Sequence, residues 1–342
     1  TRHQPLQCSF NGTTVAAIHV GEVSAICNAT PSLPPGQVLV EVTANGQDHT
    51  SSGMRFEVVS TGLNSITPWS GPVSGRTLVT ITTTFLPDAV ECHFQHGIAD
   101  QASVRASIHS SESVQCLSPS NLPKGWSALQ LQSYGVPIRS TLTFYFHARI
   151  EVSKITPAAG PVAGGTRVAI AGSGLPEAAS AYCRFYATQV TIARRVNEHQ
   201  VECISPASYG EGTRTVEISM NGQQFSESAV TFAFQPLVVV SSVWPLRGAK
   251  EGGTTLTVYG QGFAPLHVGA GVLRCSFGRQ VTTAQALNSS VILCNSTASK
   301  SRRVSVEVST NGHDFTSSGV QFEFVHINVD GLQPWSGPIL GG

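Results

Sequence analysis

Apolar and polar residues alternate in short runs along the chain. Val168 and Ile170 stand between small residues, and Leu142-Thr-Phe144-Tyr-Phe146, Val230-Thr-Phe232-Ala-Phe234 and Val320-Gln-Phe322-Glu-Phe324 keep the same period. A period of two sends successive side chains to opposite faces, so each run predicts a half-buried β-strand. Val38 to Val42 and Met54-Arg-Phe56-Glu-Val58 predict two more. Between such runs, Asn45-Gly46, Asn221-Gly222 and Asn311-Gly312 predict hairpin turns, and Tyr134-Gly135 takes that place once.

The strands belong to a repeat. Pro157-Ala-Ala-Gly160-Pro161-Val-Ala-Gly164-Gly165-Thr166 reads as a turn leading into a strand, with prolines fixing φ and glycines supplying positive φ. Pro68-Trp-Ser-Gly71-Pro72-Val-Ser-Gly75-Arg-Thr77, Pro245-Leu-Arg-Gly248-Ala-Lys-Glu-Gly252-Gly253-Thr254 and Pro334-Trp-Ser-Gly337-Pro338 are further copies. Their leading prolines lie 89, 88 and 89 residues apart. A fixed period of this size marks an array of small domains rather than one large domain. The expected divisions are a first domain lacking its opening strands over 1–60, complete domains over 61–149, 150–236 and 237–327, and the opening of another over 328–342.

The order of motifs within a copy carries a resemblance. A P-x-x-G-x-x-x-G-G-T turn is followed by Gly172-Ser-Gly174-Leu175, Cys183-Arg-Phe185 and Cys203-Ile-Ser-Pro206; the next copy has Gly260-Gln-Gly262-Phe263 and Cys275-Ser-Phe277. This resembles the IPT/TIG domain of plexin and Met-type receptors, fibrocystin-like surface proteins, Rel-type transcription factors and some carbohydrate-active enzymes. The resemblance covers nearly the whole chain. It implies an all-β fold of tandem immunoglobulin-like sandwiches in a linear array, and it leaves function open because the fold serves many roles.

The eight cysteines fall into four pairs, Cys8 and Cys27, Cys92 and Cys116, Cys183 and Cys203, Cys275 and Cys294, one pair per domain. No C-x-x-C spacing suggests zinc or redox chemistry, so the expectation is four disulfides within domains. The opposing reading is eight free thiols in a cytosolic protein. Four sequons favour the oxidising, extracellular compartment: Asn11, Asn28, Asn288 and Asn295. Asn28 follows Cys27 as Asn295 follows Cys294, so two repeats place a sequon alike. N-linked glycans are the only attachment expected, and no cofactor is.

Formal net charge is zero and charged residues make up 12%, which argues against a nucleic-acid partner. No apolar run is long enough for a membrane span in this segment. His93-Phe-Gln-His96 would diverge on a strand and are expected in solvent; Arg194-Arg195 and Lys300-Ser-Arg-Arg303 are expected as solvated loops. Gly164-Gly165 lacks the Lys-Ser/Thr and helix of a phosphate loop. No catalytic constellation emerges, and the protein is expected not to be an enzyme.

No Gly/Ser-rich spacer separates the domains, so stiff stacking is expected. Trp69, Trp244 and Trp335 sit at or near the leading proline and are expected to pack at domain junctions, with sugar stacking as the alternative. Thr43-Ala-Asn-Gly-Gln-Asp-His-Thr-Ser-Ser-Gly53 parallels Ser309-Thr-Asn-Gly-His-Asp-Phe-Thr-Ser-Ser-Gly319, which indicates a three-domain unit repeating after 266 residues. These features lead to a favoured expectation of a glycosylated extracellular filament subunit that self-associates head to tail, its 328–342 segment completing the first domain of the next copy by strand donation or by chain continuity. The alternatives are the stalk of a cell-surface receptor or adhesion protein, and an accessory module of a secreted carbohydrate-active enzyme.

Overall fold

The computed structural model describes residues 6–339 except 21–23, 30–32, 59–61, 87–89, 134–135, 139–140, 177–179, 187, 264–272 and 327. The expected Tyr134-Gly135 turn, Gly341-Gly342 and Thr30 of one sequon lie outside the described residues. Every regular element described is a β-strand, so the fold is all-β. The chain forms two compact units, one of residues 1–69 and 75–145, the other of 70–74 and 146–342.

The third repeat, in the second unit, sets out the plan. Glu151–Thr156, Arg167–Ser173 and Gln200–Ile204 pair antiparallel as one layer. Ala181–Phe185, Gly212–Ser219 and Thr231–Gln235 pair as the other, and Ala159–Pro161 joins Thr231–Gln235 in parallel. The long strand Gln189–Asn197 pairs with Ala181–Phe185 along its first half and with Gln200–Ile204 along its second, with a register shift in between. The fourth repeat copies this order from Val239–Trp244 to Gln321–Val325. In the first unit, Thr13–Ala16, Gln7–Phe10, Gly36–Thr43 and Arg55–Val58 form the sheet of the first repeat, and Ser107–Ser110, Ser113–Leu117, Leu78–Thr83 and Leu63–Thr67 form one sheet of the second.

The motifs owe their spacing to the strand period. In C-x-F and F-x-F the two named residues share a face, and that face is the core. Cys183, Phe185 and Phe232 are fully buried, and Phe185 meets Phe232 edge to face at 5.6 Å. Phe232 and Phe234, like Phe322 and Phe324, are T-shaped pairs at 5.0 Å. Burying each ring contributes about 1.5–3 kcal/mol. Cys92–Cys116, Cys183–Cys203 and Cys275–Cys294 each join one layer to the other, and Cys8 of the first-repeat sheet is bonded to Cys27; all four have Cα separations of 6.2–6.4 Å.

The proline turn closes over the core. Gly160 lies against the Phe232 ring, where an added Cβ would stand 2.8 Å from Cζ and would run into Thr166 Oγ1. Gly164 has φ of +74°, and its missing side chain faces the backbone of Pro206. The turn motif and the C-x-S-P motif are therefore one contact, fastened by Gly165 N to Ser205 O (2.9 Å), Ser205 N to Thr166 O (2.8 Å) and Thr166 N to Ser205 Oγ (3.1 Å).

The Asn-Gly turns are wider than the two-residue hairpins expected. Eleven residues separate Gly36–Thr43 from Arg55–Val58, and the fourth repeat is similar. The cause is local. Asn311 Oδ1 accepts the amides of His313 and Asp314, which makes an Asx turn, while Ser309 Oγ accepts the Gly312 amide. Glu307 then ties the returning arm through the Ser318 and Gly319 amides at 2.8 and 2.9 Å.

Candidate functional site

The described hairpin tips, in the first, third and fourth repeats, are polar turns closed by an Asn side chain. In the fourth repeat, Asn311 Oδ1 caps the turn, which aims Nδ2 outward. There it donates to Asp314 Oδ2 (2.7 Å) and to the backbone carbonyl of Ala159, in the third repeat, at 2.9 Å. Beside it Thr310 Oγ1 donates to Gln235 Oε1 (2.9 Å), and Thr166 Oγ1 donates to Asp314 Oδ2 (2.6 Å). Asn311 is only 6% exposed. The third and fourth repeats are thus held without a linker by three hydrogen bonds, two of them buried. Such bonds contribute about 1 kcal/mol each, and more where a carboxylate takes part.

The acceptor is set by the fold. Ala159 lies on an edge strand paired on one side only. Ala158 O takes the Ala233 amide at 2.9 Å, so the next carbonyl, that of Ala159, points away from the sheet. The third-repeat tip meets the same kind of carbonyl within the second unit: Asn221 Nδ2 donates to Ser70 O at 3.2 Å and to Gln224 Oε1 at 2.6 Å. Reading Asn-Gly as turn chemistry alone missed this role. The signal that marks it is Ser or Thr two residues before the Asn and Asp or Gln three after it, in three repeats.

The basic clusters are more ordered than expected. Arg194 and Arg195 lie on the strand Gln189–Asn197, not on a loop, and Arg194 shares Glu202 with Arg167 at 2.7 and 3.3 Å. Hydrogen bonding from Arg194, then its charge and that of Arg167, holds the Glu202 carboxyl below the usual carboxylate range. Arg302, Arg247 and Arg303 converge on Glu323 at 2.9, 2.9 and 3.8 Å. The hydrogen bond from Arg302, with the charges of all three, lowers the Glu323 carboxyl likewise. His93 and His96 are half-buried rather than in solvent, and they bond different hydroxyls, Ser103 and Ser127. Among the described residues no group of three His, Cys, Asp or Glu is placed to hold a metal.

Trp69 stacks on Trp126 at 5.6 Å inside its own repeat. Trp244 and Trp335 are 68% and 86% exposed, so junction packing is not seen for them among the described residues. Residues 328–339 form no strand. Asn11, Asn28, Asn288 and Asn295 are all exposed.

The IPT/TIG domain model matches three times in tandem, at residues 63–146, 151–234 and 238–324. The chain belongs to the IPT/TIG family. It is 28% identical to Plexin A3 of Danio rerio over 243 residues, covering 68% of this chain and 13% of that protein. It is 36% identical to human Plexin-B1 over 120 residues, 32% of the chain and 5% of that protein, and 29% identical to human Fibrocystin-L over 128 residues, 36% and 3%. The chain therefore spans a small part of each of these relatives. Among solved structures it is similar to the Plexin A4 extracellular region, domains 1 to 10, with 15% identity, a TM-score of 0.37, and coverage of 94% of this chain and 38% of that one. A tandem IPT/TIG array fastened by four disulfides is an extracellular or cell-surface protein. No described helix is long and apolar enough to cross a membrane.

Proposed function

We propose that this IPT/TIG array is a non-enzymatic spacer in the stalk of a cell-surface receptor or adhesion protein of the plexin or fibrocystin kind. The observation that carries the reading is the buried Asn311 tip, which fixes one domain on the next with no linker. A spacer needs that property, and a freely jointed string of domains lacks it. The sequence similarity to plexins and to Fibrocystin-L supports the same setting. Asn28 and Asn295 are the leading glycan sites in this reading, followed by Asn11 and Asn288, all of them on exposed positions.

A glycosylated filament subunit is the second reading, supported by the 266-residue higher-order repeat. Sedimentation of the full chain at low micromolar concentration separates the two. A stalk segment sediments as a monomer there; stable polymers of many chains would overturn the stalk reading in favour of the filament.

A further inference from the structure

Three aromatic rings meet on the surface of the second repeat. Trp126 lies on the strand Gly125–Ser133, where Ser127, Leu129 and Leu131 are buried and Trp126, Ala128 and Gln130 take the outer face. Trp69 stacks on Trp126 with 19° between the ring planes, and Tyr145 meets Trp126 edge to face at 5.1 Å. Trp126 is nevertheless 57% exposed, with the repeats on both sides of its own present in the chain. The fold does not require these rings. Tyr145 N donates to Trp69 O at 2.9 Å, as Ala233 N does to Ala158 O at 2.9 Å and Glu323 N to Leu246 O at 3.0 Å. Thr213 pairs with Ala233, and Arg303 with Glu323, in the places of Trp126 and Tyr145. The same three positions thus hold Ala158, Thr213 and Ala233 in the third repeat, and Leu246, Arg303 and Glu323 in the fourth. Small residues or an ion pair serve the sandwich there, so the aromatic set is particular to the second repeat.

What surrounds the rings selects the ligand. Ala128, next to Trp126 on the outer face, lies opposite Gln95. Gln130 Nε2 donates to Thr141 Oγ1 at 3.1 Å, and Thr143 is exposed on the same face of Leu142–His147 as Tyr145. Gln95, Gln130, Thr141 and Thr143 are neutral, and their amides and hydroxyls both donate and accept hydrogen bonds. The rings alone are too small a patch for a protein partner. An aromatic side chain buries roughly 150–250 Å², and three that already cover one another fall short of the roughly 800 Å² that a standard protein interface takes from each side. A pyranose answers both features. Its C–H face packs on a ring, and its hydroxyls donate and accept around the rim.

We infer that this face of the second repeat binds a neutral oligosaccharide. Trp126 is the platform for one sugar ring, Trp69 and Tyr145 brace it, and Gln95, Gln130 and Thr143 bond hydroxyls of the sugars that follow along the sheet. With one platform and a few amides the binding is weak, with Kd of about 0.1–1 mM. The inference does not depend on whether the array is a stalk or a filament.

Isothermal titration of the full chain with cellohexaose and with N-acetylchitohexaose tests it. Both are neutral and β-linked, and their equatorial substituents leave C–H faces free. The first stands for a polysaccharide and the second for the N-acetylglucosamine of glycoprotein glycans, so the tighter of the two identifies the source. Trp126→Ala raises Kd about tenfold, and Gln95→Ala or Gln130→Ala raises it about three- to tenfold. Trp244→Ala, which removes an exposed tryptophan of the fourth repeat, leaves it unchanged. Circular dichroism establishes that each variant is folded. A polyproline peptide, which also packs on aromatic rings, is titrated alongside. The proposal is overturned if neither sugar binds at about 10 mM, if binding is indifferent to Trp126→Ala, or if the peptide binds through Trp126 and the sugars do not. The stalk reading survives each of these results.

Discussion

Gly164→Ala and Gly165→Ala differ by one residue and separate two costs that usually come together. Gly164 and Gly165 have φ of +74° and +87°, so an alanine at either pays the left-handed penalty of about 1–2 kcal/mol. They differ in space. A Cβ at Gly164 would lie 2.5 Å from the Pro206 carbonyl carbon and 2.6 Å from the Ala207 nitrogen, whereas a Cβ at Gly165 meets nothing within 4 Å. The obstructing backbone cannot retreat easily, because Ser205 is bonded to Gly165 and Thr166 on the other side of the same contact. Overpacking adds about 1–3 kcal/mol. Gly164→Ala therefore costs about 2–5 kcal/mol and Gly165→Ala about 1–2 kcal/mol. The second repeat supports the lower figure, since Arg76 stands where the third repeat has Gly165, at φ of +66°. Differential scanning calorimetry of the full chain reads both. At roughly 4–8 °C per kcal/mol for a domain of this size, the third-domain transition drops by about 8–40 °C for Gly164→Ala and by about 4–16 °C for Gly165→Ala. Equal shifts would refute the argument that the glycine is required by the Pro206 backbone.

Removing the junction amide with Asn311→Ala leaves the buried Ala159 carbonyl and two turn amides without their partner, and lowers fourth-domain stability by about 2–4 kcal/mol in urea titration. Thr166→Val removes one charge-assisted bond and costs about 1.5–3 kcal/mol. Glu202 and Glu323 have folded-state pKa values below the ordinary Glu value of about 4.3, so their contribution is full above that pH and is lost as pH falls through the folded values. Melting temperature then drops more steeply below about pH 4.3 in the wild type than in Glu323→Gln. Replacing Cys183 and Cys203 together by alanine costs the third domain roughly 3 kcal/mol, read as loss of its separate calorimetric transition before the others.

What could be read from the sequence was whatever rests on local period. The F-x-F and C-x-F runs alternate, so their core faces were visible without coordinates, and one cysteine pair per repeat pointed to the pairing, while the two-layer fold came from the IPT/TIG resemblance. The proline-turn glycines were legible as positive-φ positions, but what they avoid was not, because Pro206 is 42 residues from Gly164. The tip was missed for the same reason on a longer scale. Asn311 and its acceptor Ala159 are 152 residues apart, and a turn-forming Asn spends one oxygen locally while keeping its amide hydrogens for a neighbour no pattern names. The partner of Trp69 was not legible either: Trp126, on which it stacks, sits on a different strand, Gly125–Ser133, 57 residues away in the sequence.

The central claim is that the tip of one domain fixes it on the next. Residual dipolar couplings from weakly aligned, isotopically labelled full chain test it most directly. In the wild type the third and fourth domains, residues 151–234 and 238–324, share one alignment tensor, and in the Asn311→Ala, Thr166→Val double variant they have two distinct tensors. Distinct tensors already in the wild type would contradict it.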